Sequence, residues 1–321
     1  MIFVKRISFR LSRFKSLLIS SIRFLKISLS PNRPYGKLGA SINLFDGEEL
    51  LLDLIFSVRD EVDFLSVVFQ EKGHWGETSA NPALPSFLKQ LKSVGLLDEV
   101  FFWSGESLPS GIEEFNSFDM VKREKGLELA RQAGCTHFLN LDNDELYTIS
   151  DLKYMKKVMM TSRMQGADYS VLRHLQYYKD SSLILKNREQ EYVMGIFPIR
   201  EDTHFVYGAG SPFPIDPGRK IAGSKIIEFW RFEACMHHLS YVRKDIRAKL
   251  LSAHAREGNL PVLEKIVDRY ENYCFPQTGF WGHGIEVELV KIRPKISVKY
   301  FLQDAFGRFV SGEEISKIIE S

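Results

Sequence analysis

At 321 residues, 44% hydrophobic and 26% charged, the chain has the make-up of an enzyme-sized globular protein, with room for one large α/β domain and appendages. A net charge of only +2 argues against nucleic acid as a partner. Its three cysteines, Cys135, Cys235 and Cys274, form no C-x-x-C pair; this excludes a zinc ribbon and a disulfide framework and suits a reducing compartment.

The charge is uneven along the chain. Residues 1–45 hold nine Lys or Arg and no acidic residue. Phe3, Ile7, Leu11, Phe14, Leu18, Ile22 and Leu25 recur every three or four positions, which predicts one apolar helical face, with Arg6, Arg13, Lys15 and Arg23 elsewhere on the helix. No run approaches the roughly 18 apolar residues of a membrane span, and the arginines interrupt any secretory signal. Three readings suit this segment: an interfacial helix on anionic lipid, an organellar transit peptide, and a helix packed on the domain with a solvated basic face. Pro31 and Pro34 end it, and "PNRPYGKLGAS" reads as a linker.

Strand and helix signals then alternate. "LLLDLIFSV" (50–58) is an apolar run of strand length, followed by helical spacing through Phe64, Val67 and Val68. Residues 84–95 predict a helix stopped by Gly95, and "EVFFW" (99–103) a strand. Residues 117–134 predict a helix capped by Ser117 or Asp119 and ended by Gly134. The strand "THFLNL" follows, then a helix over 150–164. Beyond Asp168 the pattern turns to strands in "YSVLRHL", "EYVMGIFPI" and "EACMHHLSYV", with helices at 245–257 and 260–272. This order predicts an α/β fold with a mixed, mostly parallel sheet flanked by helices, a basic N-terminal helix and a helical and strand C-terminal extension. The expected divisions are 1–45, 46–242 and 243–321.

The chemistry concentrates at "THFLNLDNDELYTISDL" (136–152), where Asp142, Asp144 and Glu145 follow an apolar strand. Ligands of open α/β sheets bind beyond the carboxyl ends of strands. Residues two apart in an extended chain face one side, so Asp142 and Asp144 suit a shared hard cation, Mg²⁺ or Mn²⁺, which also binds phosphate. The bland alternative is a set of acids capping the next helix. With 16 Asp in the chain, chance supplies about one D-x-D, so the strand before it and the helix after it carry the weight.

These residues resemble a family. "VKREKGLELARQAGCTHFLNLDNDEL" (121–146) is similar to the segment of family 2-like glycosyltransferases with a GT-A fold in which a helix leads into a strand ending in a D-x-D metal site. "FSVRDEVDFL" (56–65) resembles their first strand and its turn, and "MHHLSYVRKDIRAKLLSAH" (236–254) a downstream segment that brings a histidine and basic groups to the same site. The resemblance implies a nucleoside-diphosphate-sugar donor held by Mn²⁺ or Mg²⁺ and a glycan or lipid-linked acceptor; the basic segment 1–30 alone carries the expectation of work at the cytoplasmic face of a membrane. It makes Asp142, Asp144 and His238 metal ligands, with Glu145 and His237 behind them. Arg59, Asp60, Glu61, Arg123, Arg243 and Lys249 become donor-binding candidates. The chain departs from the family after "FFW", where Ser104 or Glu106 must replace an acidic base reader. No acidic dipeptide marks the catalytic base either, which leaves Asp216, Glu228 and Glu233 by position.

Two other classes compete. A haloacid-dehalogenase-type phosphatase also has a strand running into D-x-D, but that motif continues with Thr or Val where Leu146 stands, and it sits on the first strand. A non-catalytic, membrane-associated protein on a degenerate transferase scaffold would have no need of the intact acidic cluster and histidines.

Overall fold

The computed structural model describes residues 17–23, 25, 35–45, 47–73, 81–104, 112–161, 166–186, 192–208, 210–243, 245–252, 260–281, 285–296 and 298. It is a mixed α/β fold. A first sheet has the order β3 (Glu99–Trp103), β2 (Phe64–Gln70), β1 (Leu38–Leu44), β4 (His137–Asp142) and β9 (Phe197–Pro198). Its four longer strands are parallel and β9 is antiparallel to β4. A second sheet is centred on β6 (Tyr169–Tyr178), which pairs in parallel with β11 (Met236–Tyr241) and β10 (Ile226–Phe229) and antiparallel with β7 (Asp180–Leu185) and β8 (Tyr192–Met194). β5 (Glu145–Tyr147) pairs with β11, and β14 (Leu289–Lys291) with β7. A small hairpin joins β12 (Gly279–Trp281) to β13 (Ile285–Val287).

Helices cover the first sheet on both faces. Leu38, Ala40, Ile42 and Leu44 alternate onto the side of α2 (Leu51–Val58), α3 (Leu84–Ser93) and α5 (Ile149–Met159), in one core cluster with Leu139 and Leu141 of β4. Each fully buried Leu or Ile there contributes roughly 1.5–3 kcal/mol of transfer free energy. The opposite side meets α4 (Ile112–Gln132) at unusually short range. A Cβ on Gly39 would come within 2.7 Å of Ala130 Cβ, and one on Gly126 within 2.4 Å of Ser41 Oγ. Glycine is required at both positions for that approach.

Several expectations need correcting. The apolar run 50–58 is helix, a 3-10 turn at Glu48–Leu50 leading into α2, whereas Phe64, Val67 and Val68, expected at helical spacing, lie in strand β2. The first strand lies in the expected linker: β1 starts at Leu38, so the boundary at 45/46 falls behind a central strand. α4 begins at Ile112, placing Ser117 and Asp119 inside it rather than at its cap. The α3 and α4 stops hold, with Gly95 and Gly134 in the left-handed region at φ +79° and +73°. α6 (Ile246–Ser252) and α7 (Leu260–Glu271) follow β11 as expected.

Residues 17–23 form helix α1. It docks by polar groups: Arg23 Nη2 lies 2.6 Å from Glu233 Oε2 and donates to the Glu228 carbonyl at 2.6 Å, and Ser20 Oγ also donates to Glu233. The expected apolar packing face is turned out, with Leu18, Ile22 and Leu25 exposed. Phe3, Ile7, Leu11 and Phe14 lie outside the described residues. No helix among the described residues is long and apolar enough to cross a membrane.

Two buried histidines predict acid sensitivity. Burial pushes His137 at the head of β4 and His237 on β11 down to about 4. An unfolded histidine takes a proton near pH 6.5, while these stay neutral in the fold until about pH 4, so stability is lost as pH falls through that interval. The loss is on the order of 3 kcal/mol per histidine at its lower end. Urea midpoints at pH 7 and pH 4.5 test this. The non-titrating variant His237→Gln should show a smaller drop between the two pH values than the parent.

Candidate active site

The parallel strands bring their carboxyl ends to one edge, where Asn43, Gln70 and Asp142 stand on β1, β2 and β4. At the end of β4 the chain turns at Asn143 and Asp144 and continues as β5. That turn separates the two aspartates, which an uninterrupted strand would have aimed to one side. Each has its own set of cations.

Asp142 faces α4 and the 3-10 turn Pro217–Arg219. Its Oδ1 accepts from Asn43 Nδ2 at 3.2 Å, its Oδ2 is bonded by Arg219 Nη2, and Arg123 Nη2 lies 3.7 Å from the same oxygen. Arg219 Nη1 donates to Glu145 Oε1 at 2.6 Å, and Glu145 Oε2 accepts from the Asp142 backbone N–H at 3.0 Å. Both oxygens of Glu145 are therefore spent on fixing the turn and the arginine. Burial pushes the Glu145 carboxyl up, more than Arg219 lowers it. Burial also opposes ionisation of Asp142, but Arg219 and Arg123 outweigh it and hold that carboxyl down.

Asp144 faces the second sheet. Its Oδ2 accepts from Arg243 Nη2 and from Lys249 Nζ, each at 2.7 Å, and its Oδ1 lies 3.3 Å from His238 Nε2. Burial would raise this carboxyl, yet Lys249, His238 and Arg243 together hold it well below the usual carboxylate range. β5 delivers these partners: His238 stands opposite Glu145 in the ladder, and the Leu239 N–H donates to the Asp144 carbonyl at 2.8 Å. Gly47 makes room for Arg243, since a Cβ there would lie 1.5 Å from its Nη1, and φ of +74° independently favours glycine.

His238 is oriented by Gln176 on β6, whose Nε2 lies 2.6 Å from His238 Nδ1 and 2.7 Å from His174 Nε2. An amide N–H donating to both rings puts the His238 proton on Nε2, aimed at Asp144. Turning the amide would present Oε1 to a His238 Nδ1–H and leave the Nε2 lone pair that a metal ligand needs.

The other candidates divide clearly. Asp216 is at the site, half exposed, 3.6 Å from Arg123 Nη2 and 3.7 Å from Arg219 Nε. Two candidate bases are elsewhere. Buried Glu233 holds Arg23, the Tyr154 hydroxyl and the Trp230 N–H, and Glu228 on β10 accepts from the Tyr192 hydroxyl at 2.9 Å. His237 points away, into the core, 2.7 Å from the Tyr177 hydroxyl. Ser104 follows β3 at the correct edge of the sheet, and Glu106 lies outside the described residues.

Arg59, Asp60 and Glu61 must be reassigned. They form a 3-10 turn before β2, and Arg59 pairs with Asp98 ahead of β3 at 2.7 Å. This is the amino-terminal edge of the sheet, one strand length (roughly 20 Å for seven residues) from Asp142. At the opposite edge, Glu49, in the 3-10 turn that follows β1, lies 3.7 Å from Arg243 Nη1. Arg59→Ala should therefore leave the acidic cluster undisturbed and lower stability by less than about 1 kcal/mol, as a partly exposed pair does; a melting curve decides it.

Asn43, Glu49, Gln176 and Arg219 were not singled out by sequence reasoning. Arg219 had no local signal, being an isolated arginine 77 residues beyond Asp142. Among the described residues no three acidic, His or Cys side chains converge as a ready-made metal cage; Asp142 and Asp144 are turned to cations instead. The assembly can nevertheless present both charge signs to one ligand, with hard carboxylates for a cation and guanidinium or ammonium groups for phosphate oxygens. No protein-family model matches the chain and no curated protein matches it.

Proposed function

We propose that the protein is a metal-dependent glycosyltransferase of the GT-A kind, moving a sugar from a nucleoside-diphosphate sugar to a glycan or lipid-linked acceptor. One observation carries the reading. Asp142, Asp144 and Glu145 at the carboxyl end of a central parallel strand meet Arg123, Arg219, Arg243 and Lys249 from three other segments of the chain. A site for phosphate alone would not need the acids, and a site for a cation alone would not need four permanent positive charges beside them. A divalent ion together with a diphosphate matches both sets, because each internal pair can be exchanged for a ligand of the same sign.

The donor chemistry fits Mn²⁺ or Mg²⁺: carboxylate oxygens of Asp142 and Asp144 with His238 Nε2 beside them. Bound there, such an ion would act as a Lewis acid toward the leaving diphosphate. Arg219 and Arg123 on one side, and Arg243 and Lys249 on the other, would bind phosphate oxygens and stabilise the charge that grows as the glycosidic bond breaks. Gln176 holds His238 in register, and Glu145 fixes the turn. Asp216, at the rim, is the base we assign to the acceptor hydroxyl, being the only one of the three candidates at the site.

The test is donor hydrolysis across a panel of nucleotide sugars with Mn²⁺, Mg²⁺ or EDTA. Slow turnover of one donor, restored by metal and lost with EDTA, is the expected result. Cleavage of a simple phosphate ester with no donor bound would replace the transferase by a phosphatase.

A further inference from the structure

We infer that α1 is a docking face for an anionic lipid surface, held by its polar side so that its apolar side points outward. The inference is independent of the chemistry proposed at the acidic site. Successive residues of a helix turn by about 100°, which puts Ser20 and Arg23 on one side of α1 and Leu18 and Ile22 on the other, with Leu25, itself helical, just beyond it. The structure uses the first side as the anchor. Ser20 and Arg23 both reach the buried Glu233 carboxylate, Tyr154 donates to the same carboxylate at 3.0 Å, and the Arg23 guanidinium lies 5.2 Å from the centre of the Phe229 ring. The second side is left to solvent, with Leu18, Ile22 and Leu25 at 52%, 44% and 60% exposure. Phe232, adjacent to the anchor Glu233, is half exposed and follows an exposed Arg231.

A helix that only packed on the domain would be anchored the other way round, apolar side in and arginine out. Charge selects the occupant. Residues 1–45 carry nine cations and no acidic residue, and Lys15 and Lys26 stand on either side of the exposed stripe in the sequence. A second copy would bring two such cationic segments together, whereas a bilayer containing phosphatidylserine offers both the apolar layer and the opposite charge.

Cosedimentation of the full chain with vesicles tests this, using phosphatidylcholine alone or mixed with phosphatidylserine, at low and high salt. The expected result is binding at least about tenfold stronger to the anionic vesicles, weakened by salt, and lost by at least about tenfold in Leu18→Ser/Ile22→Ser/Leu25→Ser. The triple variant should keep the parent's circular dichroism, since those side chains are exposed. Equal binding of parent and triple variant, or no preference for anionic lipid, would overturn the assignment. So would a parent that sediments as a dimer and a triple variant that is monomeric, because the face would then belong to a second copy.

Discussion

Asp144→Asn is expected to reduce the proposed metal-dependent donor turnover by at least about 10³-fold, several kcal/mol of transition-state stabilisation. The same change should destabilise the fold. Asp144 is buried between Arg243 and Lys249 at 2.7 Å each, with His238 Nε2 at 3.3 Å. Asparagine keeps the shape but leaves two cations facing a neutral amide; removing one partner of a buried pair costs about 3–5 kcal/mol. Acid separates this contribution from others. The carboxyl is held well below its ordinary range in the fold, so its contribution is complete above the unfolded value of about 3.9 and shrinks as pH falls toward the lower folded one. Parent and variant should therefore differ most in melting temperature near neutral pH and converge in strong acid. Donor turnover measured below the variant's melting temperature distinguishes lost chemistry from lost folding. A variant as active as the parent would sink the metal assignment of Asp144.

What could be read from the sequence, and what could not, follows from how locally each feature is determined. The strand "THFLNL" and its acidic end were legible because an apolar run, a polar break and the Thr148-capped helix α5 are all local signals. β1 was hidden for a tertiary reason. "LGASINL" carries Gly39 and Ser41 because α4 lies against them, so Ile42 is the one β-branched residue left to mark the strand. The "LLLDLIFSV" error has the converse cause. α2 is buried on nearly every side, with Leu51, Leu52, Leu54, Ile55 and Val58 at 1% exposure or less, and only Asp53 and Ser57 interrupt its short apolar run, which imitates a buried strand. Misplacing the first strand by one element moved Arg59, Asp60 and Glu61 to the wrong end of the sheet. His238 and His237 divided as alternation requires, one to the site and one to the core. The cationic half of the site was only partly legible, because long-range packing, not spacing, brings Arg219 to Asp142.

Arg219→Gln should separate the two halves of the site. In the fold this guanidinium bridges Asp142 and Glu145 and is almost fully buried. As their counter-ion it competes with any divalent cation for the same oxygens, and as a phosphate ligand it would assist donor binding. The neutral variant should thus bind Mn²⁺ about tenfold more tightly by itself while binding a nucleoside diphosphate with Mn²⁺ more weakly, a reversal that a merely structural arginine would not produce. Electron paramagnetic resonance of free Mn²⁺ reads the first quantity and calorimetry the second. Stability adds a third readout. Burial already pushes the Glu145 carboxyl up against the pull of Arg219; without that pull it rises further. A carboxyl whose folded value lies above its unfolded value of about 4.3 stabilises below that value and loses the contribution as pH climbs through the folded one. The variant's deficit, about 3 kcal/mol for a broken buried pair, should accordingly be larger at pH 7.5 than at pH 5. A deficit independent of pH, with both affinities unchanged, would reduce Arg219 to a packing residue and leave the diphosphate to Arg123, Arg243 and Lys249.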